Sequence, residues 1–402
     1  MNRRNTVALA AAFGAIGTLA ALGQVPAFAQ SGKDIRIAHI YSNTGPLEAY
    51  GKQTAIGFNL GLEYATGGTM MVNGRKLVVM EKDDQGKPDV AKSLLATAYS
   101  DDKADIAVGT SSSGAALAML PVAEEYKKIL IVEPAVADSI TGDKWNKYIF
   151  RTARNSSQDA ISNAVAQDKE GTSIVLMAQD NAFGRDGQTA FKEAIKKAKV
   201  VGEEYLPPAT TDFTAAAQRV LEKFKGVSGR KVVYVVWAGA ANPFKVSDLG
   251  LKSAGIEIAG GGNILPALVN YKPFPGMEGS IYYYFGIPKN ATNEWLVANH
   301  YKKYKAPPDF FTAGGFAAAT AIVTALKKTS GDTGTNKLIT VMEGMSFDTP
   351  KGTMTFRKED HQAMQSMYHF KIKVDPAFAW GVPELVHEIK PEEMNIPIKN
   401  KR

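Results

Sequence analysis

The chain has 402 residues, of which 45% are hydrophobic and 22% charged, with a formal net charge of +7. That length accommodates roughly two domains and buries a sizeable core unaided, while the mild basic excess suits a solvated surface and gives no reason to expect nucleic acid. With no Cys at all, disulfides, thiolate catalysis and most zinc sites are excluded. Arg3 and Arg4 precede an apolar segment over 7–26, and Ala27-Phe28-Ala29 follows as a small-x-small cleavage pattern. Residues 1–29 therefore read as a secretory signal peptide. From there strand and helix periods alternate. The spacing predicts strands at 35–41, 77–80, 106–108 and 129–132, with helices at 53–64, 88–100 and 113–126 between or beside them. After residues 148–152 the pattern restarts, with strands at 174–177, 200–205 and 232–236 and helices at 191–198, 213–223 and 243–253. The last third adds helices near 294–304 and 313–328 and strands at 353–356 and 367–374, then a Pro- and charge-rich tail expected on the surface. The run 312–326 contains Gly314-Gly315 and reads as a buried helix, not a membrane span. Successive βα units favour parallel sheets covered by helices on both faces.

Open α/β sheets bind ligands beyond the carboxyl ends of their strands, so those loops carry the functional candidates. In "TGPLEAYGKQ", Gly45-Pro46 makes the turn and Tyr50 is left over as a cleft wall. In "GTSSSGAA", Ser111, Ser112 and Ser113 stand at a helix start, where unpartnered amides and the dipole suit a carboxylate or phosphate. Ala115-Ala116 occupy the places where a phosphate-cradling loop needs Lys and Ser or Thr, so that motif fails. Asp83-Asp84 read as a solvated turn before Pro88. In the second half, "DNAFGRDG", "TTDF" and "WAGAANP" follow strands and bring Phe183, Phe213 and Trp237 beside small or polar residues, the composition of a pocket wall. Arg185 is a candidate for a polar or anionic end of the ligand, and Asn263 and Tyr284 are further candidates for ligand contact. The His residues show no metal-protease spacing and no Gly-x-Ser-x-Gly surrounds the serines, so neither an enzyme nor a metal or cofactor is expected.

Six segments, "TGPLEAYGKQ", "DDQGKPDVA", "IAVGTSSSGAALAMLPVAEE", "FRTARNSSQD", "DNAFGRDG" and "TTDFT", occur in an order and spacing that resemble the periplasmic solute-binding proteins of ABC importers, in the leucine/isoleucine/valine-binding branch. The resemblance implies an α/β fold of two Rossmann-like lobes with parallel central sheets joined by a three-crossover hinge. The expected division is 30–152 plus 286–347 for the first lobe and 153–285 plus 348–402 for the second. It also implies a monomeric, non-catalytic periplasmic protein that delivers a small molecule to an inner-membrane permease. By the same resemblance the Tyr50 position touches ligand, Ser111 to Ser113 hold its carboxylate, Pro134, Ala135 and Ala137 add contacts, and Phe183 packs on it from the second lobe. Two departures stand out. Ala137 aligns where amino-acid binders offer a Thr hydroxyl, and the loop after the strand ending near Trp237 has no Asp or Glu for a ligand ammonium. A buried ammonium without a carboxylate costs several kcal/mol. The sequence therefore points to an aromatic carboxylic acid of benzoate, hydroxycinnamate or phenylpyruvate type, with a branched-chain or aromatic amino acid, or a sensor feeding a receptor, as alternatives.

Overall fold

The structure is a computed structural model describing residues 32–239, 241, 243–260 and 264–401. The expected signal segment and Asn263 lie outside the described residues. The first sheet is built from β1 (Ile35–Tyr41), β2 (Met71–Val72), β3 (Arg75–Asp83), β4 (Ile106–Gly109), β5 (Ile129–Val132) and β6 (Ile149–Arg151), with α1 (Glu48–Ala65), α2 (Pro88–Ser100) and α3 (Ser113–Tyr126) between them. Its order is β2-β3-β1-β4-β5-β6. Only the edge pair β2–β3 is antiparallel. β4 and β5 are apolar and buried along their whole length, as strands covered on both faces must be.

The second sheet follows: α4 (Ser156–Gln167), β7 (Thr172–Gln179), α5 (Ala182–Ala194), β8 (Lys199–Leu206), α6 (Thr214–Lys223), β9 (Arg230–Val236) and β10 (Ile256–Gly260). It is parallel throughout, in the order β10-β9-β7-β8. After α7 (Leu265–Leu268) and β11 (Glu278–Ile281) the chain returns to the first lobe as α8 (Ala291–Tyr304), α9 (Phe310–Lys328), α10 (Thr335–Met342) and the strands β12 (Ser346–Thr349), β13 (Gly352–Phe356) and β14 (Ala363–Met364). It then crosses again into β15 (Met367–Lys373), β16 (Val382–Ile389) and α11 (Pro391–Met394). β15 lies between β11 and β16 in an antiparallel ribbon. Phe347, Met354, Phe356 and Ala363 share the core of Ile35 and Ile37, whereas Met367 and Phe370 belong to the core of Tyr282 and Phe310. The change of core thus falls between Ala363 and Met367, later than the boundary at 347/348 expected from the sequence.

α9 is long and apolar enough to cross a membrane. Here it is a core helix, because α1 lies against it at a distance only glycine permits. A Cβ on Gly57 would stand 1.9 Å from the Thr312 carbonyl oxygen, and one on Gly315 2.0 Å from that of Thr54.

The crossovers are stitched by Arg151, which is fully buried. Its Nε donates to Gln362 Oε1 at 2.6 Å and its Nη1 to the Ala137 carbonyl at 2.6 Å, while Nη2 donates to Thr141 Oγ1. Gln362 Nε2 in turn donates to the Ala153 carbonyl at 2.7 Å, and Gln365 Nε2 to that of Thr152 at 3.1 Å. Two further contacts tie lobe to lobe. Asp186 Oδ2 on α5 accepts from Ser139 N at 2.9 Å and Ser139 Oγ at 2.8 Å. Lys399 Nζ reaches Asp138 Oδ2 of the first lobe at 3.0 Å and Glu193 Oε2 of the second at 2.7 Å.

Four sequence expectations change. The helix placed at 243–253 is a shorter 3-10 helix over Pro243–Leu249. The helix placed at 191–198 occupies Ala182–Ala194 instead. Gly184 and Gly187 suggest a loop, yet they serve close approach. A Cβ on Gly184 would meet the Gln179 carbonyl oxygen at 1.9 Å, and one on Gly187 would meet Val236 at 2.7 Å. α4 has no counterpart in the sequence reading because Ser156, Ser157, Gln158, Ser162 and Asn163 are polar and nevertheless buried, which erases the apolar period. The tail is only partly on the surface: β16 pairs with β15, and Ile389, Met394 and Ile396 are buried.

His39 on β1 is fully buried between the rings of Tyr41 and Phe58, 4.7 and 4.8 Å away, and neither of its nitrogens has a hydrogen-bond partner among the described residues. Burial lowers its pKa to about 3. A folded pKa depressed below the ordinary 6.5 gives stability that is complete above about pH 6.5 and is lost as pH falls toward 3, at about 1.4 kcal/mol per pH unit. His39→Leu is expected to flatten that decline in urea titrations between pH 6.5 and 4. Parallel pH profiles for the two proteins refute the assignment.

Candidate functional site

The carboxyl ends of the strands in both sheets face each other across a cavity of about 550 Å³. The first lobe contributes Pro46 and Leu47 from the β1–α1 connection, Tyr50 from the first turn of α1, Gly86 from the β3–α2 loop, Pro88 at the start of α2, Ser111 to Gly114, and Pro134 and Val136 after β5. Asp84 fixes the relative placement of three of these loops. It is fully buried and accepts from Ser42 Oγ at 2.8 Å, from Gly86 N at 2.7 Å and from Thr110 Oγ1. It is thus a structural anchor; the solvated turn expected there is formed by its neighbour Asp83, which accepts from Asn43 N at 2.9 Å and Thr44 N at 3.2 Å.

The three serines divide their work. Ser112 Oγ caps α3 by accepting from Ala115 N at 3.3 Å. Ser113 Oγ accepts from Ala137 N at 3.2 Å and so holds the loop after β5. Ser111 Oγ has no hydrogen-bond partner among the described residues.

The second lobe supplies Phe183 and Gly187 from α5, residues 208–211, and Tyr234 through Gly239. Gln179 clamps the last stretch, its Nε2 donating to the Ala238 carbonyl at 2.9 Å and its Oε1 accepting from Ala238 N at 3.2 Å. Trp237 is buried edge-on against Phe213, with ring centroids 5.3 Å apart. Tyr50 crosses the cleft. It sits in the first turn of α1, 4.5 Å from the Phe311 ring, and its phenol oxygen accepts from Gly239 N at 2.9 Å. Burial raises the phenol pKa, so the O–H stays protonated and keeps a hydrogen to donate.

The crossovers form the third wall, with Arg154, Asp159, Asn163, Tyr282, Phe310 and Phe311. Arg154 Nε donates to Asp159 Oδ1 at 2.9 Å. The guanidinium carbon lies 4.7 Å from the Phe310 ring centroid and 5.5 Å from that of Tyr282. Burial raises the Asp159 pKa and the neighbouring Arg154 opposes the rise. Behind Tyr282, the buried Lys351 places Nζ 3.6 Å from its ring centroid and donates to Gln365 Oε1 at 2.8 Å. Glu133 accepts from Thr152 Oγ1 at 2.9 Å and is raised to about 7 by burial. No cluster of three His, Asp or Glu suited to a metal ion occurs among the described residues.

Of the residues singled out in the sequence, Tyr50, Ser111, Ser112, Ser113, Pro134, Phe183 and Trp237 line this cavity. Ala135, Ala137, Arg185 and Tyr284 are not among its lining residues. The run after β5 is extended, so Pro134 and Val136 turn to the cavity while Ala135 and Ala137 turn to the core behind it. Phe183 and Gly187, four apart on α5, share the inner face. Arg185 lies off that face, paired with Asp180 at 2.6 Å and over the Tyr205 ring at 4.7 Å. Tyr284 is packed on Phe285 and accepts from Trp380 Nε1 at 3.2 Å, and Tyr282 takes the place on the wall. The sequence reading missed Arg154 and Asp159. Their signal was a charged pair five residues apart directly after a strand end, inside "FRTARNSSQD".

A family model described as periplasmic binding protein matches residues 34–377. The chain is 65% identical to a solved ABC-type branched-chain amino acid transporter from Rhodopseudomonas palustris, covering 92% of this chain and 100% of that one with a TM-score of 0.81. It is 26% identical to a solute-binding protein of an ABC transporter from Rhodopseudomonas palustris BisB5, solved in complex with 3,4-dihydroxybenzoic acid, over 89% of this chain and 98% of that one, TM-score 0.77. It is also 24% identical over 348 residues to Leu/Ile/Val-binding protein homolog 6 of Brucella abortus, 83% of this chain and 86% of that protein.

The bond between the Tyr50 phenol and Gly239 N joins the two lobes across the cleft. A hydrogen bond of this kind contributes about 0.5–1.5 kcal/mol. Tyr50→Phe is expected to lower the ratio of closed to open molecules roughly 2- to 10-fold, seen as a larger radius of gyration in small-angle scattering. An unchanged scattering curve counts against the bridge.

Proposed function

The chain belongs to the periplasmic binding protein family, and on that premise we propose that it is the non-catalytic periplasmic binding subunit of an ABC importer, holding a small carboxylic acid that carries an aromatic ring. Benzoate, hydroxycinnamate and phenylpyruvate represent the ligand type. The observation that carries this reading is the composition of the cavity wall. Tyr50, Phe183, Trp237, Tyr282, Phe310 and Phe311 surround the space, and its one acid among the described residues, Asp159, is already engaged by Arg154. A ring burying ~150–200 Å² at about 25 cal/mol/Å² gains roughly 4–5 kcal/mol, and a hydrogen bond to a charged group adds about 1.5–3 kcal/mol. The hydroxyl of Ser111 and the first-turn amides of α3 are donors for polar groups of the ligand. The 3,4-dihydroxybenzoic acid bound by the 26% identical relative is a ligand of this kind. The lobes swing about the crossovers and close on the acid, and the closed form is what the permease engages.

A second reading has its own support. The 65% identical solved structure is described as a branched-chain amino acid transporter, and Asp159 is a carboxylate at the wall that an ammonium can approach. Isothermal titration with benzoate, p-coumarate, phenylpyruvate, leucine and phenylalanine separates the two. The aromatic acids are expected to bind more tightly than the amino acids, and Trp237→Ala is expected to weaken them roughly 10- to 100-fold. Tight leucine binding without aromatic-acid binding overturns the lead reading.

A further inference from the structure

We propose that Arg154 is the anchor for the ligand's carboxylate, its two terminal nitrogens receiving the two carboxylate oxygens while Asp159 holds the guanidinium from its Nε edge. The proposal rests on the reading of the cavity as an organic-acid site. It moves the principal anion contact from the α3 serines to the crossover wall.

Four observations carry it. Arg154 is 9% exposed and lines the cavity, so the little surface it keeps belongs to that space. A guanidinium has five donor hydrogens in a rigid fork. Only Nε is used, at 2.9 Å to Asp159 Oδ1, and Nη1 and Nη2 make no hydrogen bond among the described residues. Both terminal nitrogens are therefore open to the cavity, and a carboxylate satisfies both at once in the bidentate geometry that Arg favours over Lys. Next, the fork is oriented before any ligand arrives. Asp159 fixes one edge, and the faces of Phe310 and Tyr282, at 4.7 and 5.5 Å, fix the plane. These rings also lower the local dielectric, which strengthens an ion pair formed there. Finally, Ser112 and Ser113 are held by the amides they accept from, Ala115 N and Ala137 N, and each has a single hydroxyl hydrogen left to donate, against the four on the two terminal nitrogens of the fork. Ser111 remains for another polar group of the ligand.

The test compares each acid with the analogue in which a neutral carboxamide replaces the carboxylate. Affinities of wild type, Arg154→Gln, Arg154→Lys and Ser111→Ala are measured by isothermal titration for 4-hydroxybenzoate against 4-hydroxybenzamide and for leucine against leucinamide, with thermal melts to verify folding. Wild type is expected to prefer acid over amide. Arg154→Gln is expected to reduce that preference on the order of 10- to 100-fold. Arg154→Lys, which keeps the charge but not the fork, reduces it in part and carries the test if the Gln variant does not fold. Ser111→Ala leaves the preference in place. If Arg154 only supports the structure, its loss weakens acid and amide alike and their ratio is unchanged, which overturns the proposal. A wild-type protein that binds neither acid more tightly than its amide overturns it too. A preference found only for leucine, and lost with Arg154, upholds the anchor and discards the aromatic-acid reading. A preference for 4-hydroxybenzoate that survives in the folded Arg154 variants does the reverse.

Discussion

A guanidinium with no access to water decides how the two lobes are joined. Arg151 ends β6, the last strand of the first sheet, and all three of its side-chain nitrogens donate to groups brought in by other segments: Gln362, Ala137 and Thr141. A buried charge is tolerable when hydrogen bonds compensate it. The first crossover, the loop after β5 and the third crossover are therefore held together at one buried guanidinium. Gln362 extends the constraint to the Ala153 carbonyl and Gln365 to that of Thr152, so the connecting strands are held without any long linker.

The cavity inherits its geometry from that junction. Arg154 lies three residues beyond Arg151, and Glu133, Thr152, Lys351 and Gln365 fill the space behind Tyr282. The wall that carries charge is thus the wall built by the crossovers. Gly314 of α9 belongs to the same arrangement, since a Cβ there would stand 2.1 Å from Glu133 Oε1. The opposite walls are set by independent anchors: Asp84 for the loops after β1, β3 and β4, and Gln179 for the stretch from Trp237 to Gly239.

The parallel sheets and most of their helices were legible because buried strands such as "IAVG" and "ILIV" and the amphipathic stripe of α2 carry their periods openly. The cavity residues at strand ends were legible for a topological reason, since the ends of parallel strands in both lobes converge on one space. Three things were not. The polar face of α4 is buried by its own hydrogen bonds, as with Asn163 Oδ1 accepting from Ser280 N at 3.1 Å, and hydrophobic period cannot reveal it. The glycines of α5 looked like turn residues because their use depends on Gln179 and Val236, contacts across the fold. Arg154 and Asp159 are ordinary surface types in one dimension. Only the crossover places them against Phe310 and Tyr282, at the wall of the cavity.

Lys399 offers a practical handle. Its ammonium is shared by Asp138 and Glu193, carboxylates of separate lobes, and the neighbouring Asn400 is moored to the Glu359 carbonyl at 2.7 Å. This stretch of backbone is therefore fastened to one rigid body while its side chain straddles a seam. A fluorophore conjugated there would change surroundings whenever the halves part, turning the molecule into an optical reporter of solute capture with the cavity itself left untouched.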